Sequence, residues 1–248
     1  MWWEMINYNT SKPAEPAKKF FSYQALYFIF SLLAVLYLVN EIVVFDLVVS
    51  GYIKSGASNF GADNNTFYLI LSLISRVSIP IGAFLVFLSA QKRDKKFILN
   101  LTILTVLFEI IYDLYSFDKF LYIKLQSPVF SLLLGAFFTL AWKYFDFKKI
   151  IRLPLVALYI FISIYSGVDY GFLIGILFVV LNFLEPNRKG QSLFSFAVLI
   201  PGASMALAPI FYYFYDENNN RKNYNSSLNF IFPIIALLLW RLRILILR

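Results

Sequence analysis

The stretch Leu69–Lys96, LILSLISRVSIPIGAFLVFLSAQKRDKK, decides how this chain folds. Up to Ala90 it is apolar except for small residues and one arginine, Arg76, and it closes on the basic cluster Lys92–Lys96. About twenty apolar residues in a row are the length of a helix that crosses a bilayer. An arginine inside such a run costs about 2.5–3.5 kcal/mol on insertion scales and is seldom left without a partner. The rest of the sequence has to supply that partner.

Working outward, the whole chain has the same character. Of 248 residues, 60% are hydrophobic, 20% aromatic and only 15% charged, with a mean hydropathy of +0.71. A soluble domain of this size needs far less apolar surface. There is no cysteine, so no disulfide, thiolate nucleophile or cysteine-bound metal. There is no histidine either. That excludes Ser-His and Cys-His catalysis, a histidine base and most zinc sites, and no metal site is expected. The first twenty residues, MWWEMINYNTSKPAEPAKKF, are polar, end on Lys18-Lys19 and do not read as a signal peptide. The abundance of Phe, Tyr, Ile, Asn and Lys suits an AT-rich bacterial genome, so the expected location is the bacterial cytoplasmic membrane, with the lipid bilayer as partner.

Apolar runs predict helices at Tyr23–Tyr52, Phe67–Ala90, Phe97–Tyr115, Pro128–Phe145, Pro154–Ser166, Tyr170–Leu184, Leu193–Tyr215 and Leu228–Leu247. The net charge of +8 is spread in short clusters between these runs, the pattern of cytoplasmic membrane loops and not of a nucleic-acid surface. Sixteen of the 22 lysines and arginines fall in the N-terminal arm and alternate connections, and five in the others. The expectation is an all-α, polytopic bundle of about eight transmembrane helices with both termini cytoplasmic. Residues 1–22 form an N-terminal arm and residues 23–248 the membrane domain. Gly167 and Gly171 favour a tight turn between two short spans over one long helix. No internal repeat and no pair of broken helices is apparent.

In this topology Glu41 and Asp46, Arg76, and Glu109 with Asp113 approach one level near the outer face. Glu109 and Asp113 are spaced i,i+4 and share a helix face. Arg76 is therefore expected to pair with Glu109 or Asp113, and Gln126 and Asp169 lie in outer loops nearby. Such a pair is either a structural clamp on helix register or part of a polar cavity that takes an anionic or polar group. Asn64-Asn65-Thr66 and Asn225-Ser226-Ser227 fit glycosylation sequons, which a bacterial protein seldom uses. The aromatics, such as FYYFY at Phe211–Tyr215, read as interfacial and lipid-facing bulk.

The ordered blocks SRVSIPIGAFLVF, FEIIYDLY, LQSPVFSLLLG, VDYGFLIGILFVVLNFL and NFIFPIIALLL, between Tyr27 and Leu239, resemble TraX-type membrane proteins. That family is associated with N-terminal acetylation of conjugative pilin and groups with the polytopic membrane acyltransferases. Arg76 and Pro80 match its GRxxxP block, with Ser75 in place of the glycine. Tyr112-Asp113, Gln126 and Asp169-Tyr170-Gly171 match further blocks. Where the family carries an Asp-His pair, this chain has Asn40-Glu41. Where it carries Pro-x-His, this chain has Pro233-Ile234-Ile235. Both family histidines are missing, and with them the usual base for acyl transfer.

The resemblance implies a catalytically degenerate acyltransferase fold that serves as a binding or assembly subunit beside a protein partner in the membrane. A first alternative is an active acetyl- or acyltransferase with Glu41 as base and acetyl-CoA or another acyl donor. It would modify a secreted or surface peptide or glycan. A second is a small-solute transporter or channel.

Overall fold

A computed structural model describes residues 21–44, 61–92, 95–117, 119–120, 126–145, 149–167, 170–185, 187–216 and 231–246. The chain forms the all-α bundle its pattern predicts. Helix α1 (Tyr23–Val39) runs into a π-helical turn, Asn40–Val44, and is followed by α2 (Gly61–Arg76), α3 (Ser78–Gln91) and α4 (Lys95–Phe117). Then come α5 (Pro128–Tyr144), α6 (Lys149–Tyr165), α7 (Gly171–Phe183), α8 (Arg188–Leu199), a 3-10 segment (Ile200–Leu207), α9 (Ala208–Tyr213) and α10 (Ile231–Ile246). By length and composition, four stretches can cross a membrane: Tyr23–Val44, Tyr68–Gln91, Lys95–Phe117 and Arg188–Tyr213. Shorter apolar helices accompany them.

The core is built around α3, whose residues are all buried from Ser78 to Ala90. Helices α1, α5 and α7 pack against it. Small residues permit this close approach where the surrounding solvent is as apolar as the side chains. At Gly82 a Cβ would sit 2.8 Å from the Phe30 ring, and at Gly135 on α5 one would collide with the Phe178 ring of α7. The break between α2 and α3 has a local cause. Pro80 has no N–H to donate to the carbonyl of Arg76, four residues back, so the helix restarts at Ser78. The carbonyl of Pro80 accepts the Tyr212 hydroxyl at 2.6 Å.

Two sequence expectations are corrected here. First, the run Leu193–Tyr215 is not a straight span, although its length and composition qualify it as one. Arg188 lies 5.8 Å from the Tyr215 ring, where a straight helix would hold them about 40 Å apart. Ser192 Oγ donates to the Pro209 carbonyl at 2.7 Å, and α8 packs along α9. The chain therefore folds back on itself through Pro201-Gly202 and Ala203, which adopts φ 51°. Main-chain bonds between Phe21 and residues Phe214 and Asp216 fix the return beside the start of α1. Proline and glycine explain the reversal; the hydropathy profile conceals it. The broken helices judged absent from the sequence are thus present twice, at Val77 and at Ile200–Leu207.

Second, the reversal turns the last helix round. Helix α10 touches Phe30 of α1 through Phe232, with ring centroids 5.8 Å apart, and Arg243 donates to the Tyr115 carbonyl near the end of α4. It therefore runs parallel to α1 and α4, and Ile246 lies at the end of the bundle opposite Tyr23. The two described chain ends do not share a side. The turn at Gly167 (φ 64°) does separate α6 from α7 as two short helices.

Candidate functional site

Four of the predicted polar residues are tied into one end of the bundle, called here the Tyr170 end. Glu109, on α4, caps a neighbouring helix: Ser127 donates its main-chain N–H to the Glu109 carboxylate at 3.0 and 3.1 Å and its hydroxyl at 2.6 Å. Ser127 is the N-cap of α5, with Pro128 in the first turn. A carboxylate there meets the orphan amides and the positive end of the helix dipole. Next to it, Gln126 donates its main-chain N–H to the Gly167 carbonyl at 3.1 Å, fastening the α6–α7 turn to the start of α5.

That turn carries Tyr170, which sits in the left-handed region at φ 58° and precedes α7. A non-glycine residue there is uncommon and needs surrounding contacts to hold it. Its ring lies 5.7 Å from the Arg76 guanidinium. Arg76, the last residue of α2, is thus partnered by an aromatic face. Among the described residues it makes no ion pair with Glu109 or Asp113, which corrects the sequence expectation. The physical reason is that Glu109 is engaged by Ser127.

Glu41 lies in the π-helical turn that ends α1 and packs against α2. Asp113 is 2% exposed, and the main-chain N–H of Lys119 donates to its carbonyl at 3.4 Å. Its neighbours along α4, Tyr112 and Tyr115, belong to a second apolar cluster that includes Ala236 of α10. Asp169 and Asp46 lie outside the described residues.

Two members of the site escape a reading of charges alone. Ser127 was detectable, because Ser-Pro before an apolar run is an N-cap followed by a favoured first helical residue. Asn40 was not. It is fully buried in the π turn, and neither its amide nitrogen nor its amide oxygen has a hydrogen-bond partner among the described residues. π turns gather at functional sites, and buried amides ordinarily find partners.

In this cluster the Glu109 carboxylate accepts three hydrogen bonds from Ser127, and the Arg76 guanidinium rests on the Tyr170 ring. The chain matches no family model, no curated protein and no solved structure.

Proposed function

We propose that this is an integral membrane protein of TraX-like acyltransferase fold that has lost its catalytic base and serves as a binding or assembly subunit of a bacterial membrane complex. The observation that carries the reading is the fate of Glu109. A carboxylate whose two oxygens both accept from the Ser127 amide and hydroxyl is committed to capping α5 and is not turned towards an acceptor substrate. With no histidine in the chain, the active alternative rests on Glu41 as base. The test is acyl transfer by the purified protein in lipid nanodiscs, with acetyl-CoA and peptide or sugar acceptors. No turnover is expected. Turnover abolished by Glu41→Gln in a folded protein would establish the active alternative.

One observation favours a second reading, passage of a small solute. Helices α8 and α9 re-enter the bundle as a hairpin whose irregular tip packs on α2 and α3. Irregular backbone at membrane depth is tolerated where it is enclosed by protein or lines a polar path. Flux of small anions into proteoliposomes, lost on Arg76→Met, would support that reading. Its absence leaves the binding subunit.

A further inference from the structure

A narrow cavity of about 110 Å³ runs between α1, α3, α4, α5 and α10. Along α1 it extends from Tyr23 to Leu38, about 22 Å at helical rise. Its walls are apolar except for Ser78 and tyrosine hydroxyls. Cavities of about 150 Å³ lined in this way stay dry and accept apolar molecules. A peptide segment inserted here would bring main-chain N–H and C=O groups for which these walls offer almost no partner. Water needs two or more polar partners and is excluded for the same reason. A hydrocarbon chain carries no such groups.

Helices α1 and α4 each line the cavity, and α10 packs on both, with Phe232 against Phe30 of α1. At its far end the cavity is bounded by Leu38, Ser78, Phe108 and Pro128. Each is within two residues of a member of the polar cluster: Asn40, Arg76, Glu109 and Ser127.

We propose that this cavity holds one acyl chain of a membrane lipid, with the polar end of the chain directed to the Arg76–Glu109 cluster. Chain binding stands whether or not that cluster performs chemistry, so it does not depend on the proposed function.

The experiment uses the full chain in vesicles containing a phosphatidylglycerol with a diazirine on its acyl chain. After illumination, adducts are mapped by mass spectrometry. They are expected on Phe30, Leu101 and Leu104, and should fall at least five-fold with Ala34→Trp, which fills the cavity from α1. Leu104→Phe narrows it from the opposite wall and provides a second variant if the first folds poorly. Adducts confined to outward-facing residues such as Ile103, or unchanged by both variants, would overturn the proposal. So would cavity adducts that arise only after removal of residues 1–20, because the N-terminal arm would then be the occupant. Cavity adducts that persist in Glu109→Gln and Glu41→Gln, in a protein without transfer activity, would still support chain binding. The two readings can therefore fail separately.

Discussion

Helices α2 and α3 come from one apolar run and differ only across Val77, yet they have opposite environments. On α2, Leu69, Ile70, Leu73 and Ile74 face outward, whereas α3 is buried on every side. In a soluble protein a bulky apolar face would be the buried one. Here lipid is as good a solvent for leucine as the core is, so bulk says little about burial. Small residues and aromatic stacking mark the core instead, through Gly82 and through Phe84 stacked 4.2 Å from the Tyr212 ring.

The contrast can be broken or sharpened by substitution, with stability read by denaturant titration in mixed micelles. Phe84→Ala should be the most costly, about 3–5 kcal/mol, since it empties a site 0% exposed at the centre of the bundle. Gly135→Ala should cost up to about 3 kcal/mol, because its Cβ would collide with the Phe178 ring. A loss below about 0.5 kcal/mol would mean that α5 and α7 separate easily and that the close packing is not what holds them. Glu109→Gln should cost about 2 kcal/mol by weakening the charged cap on α5. Ser127→Ala in that background should cost less than it does alone, because the hydroxyl it removes donates to the same carboxylate. On α2, Ile74→Ala should change stability by less than about 0.5 kcal/mol. An effect as large as that of Phe84→Ala would put α2 inside an interface with another chain.

The helices were legible because each is a long apolar run with clear ends: Ser127-Pro128 opens α5, and Gly167 closes the α6–α7 turn. The path of the chain was less legible. The run from Leu193 to Tyr215 has the hydropathy of a span, and Pro201-Gly202 is the only local sign that it reverses. Charge counting then placed Arg241 and Arg243 on the same side as Lys189, because a count of crossings carries one missed reversal through to the end. Single cysteines can be read cleanly in a chain that has none. Lys189→Cys and Asp216→Cys should react with a membrane-impermeant maleimide from the same side, and labelling from opposite sides would restore a straight span. The polar residues were found by type, and Glu109, Gln126, Tyr170 and Arg76 do gather at one end. Their pairing could not be read, because a carboxylate chooses between a guanidinium and a helix N-terminus by geometry that spacing does not encode.

The most direct test concerns the junction of α2 and α3, where Arg76 rests on the Tyr170 ring and, among the described residues, makes no ion pair with Glu109. A double-mutant cycle of Arg76→Met with Tyr170→Leu isolates that contact. A coupling of about 1 kcal/mol is predicted for a half-buried guanidinium over a ring. Additivity within about 0.3 kcal/mol, together with strong coupling in the matching Arg76–Glu109 cycle, would contradict it.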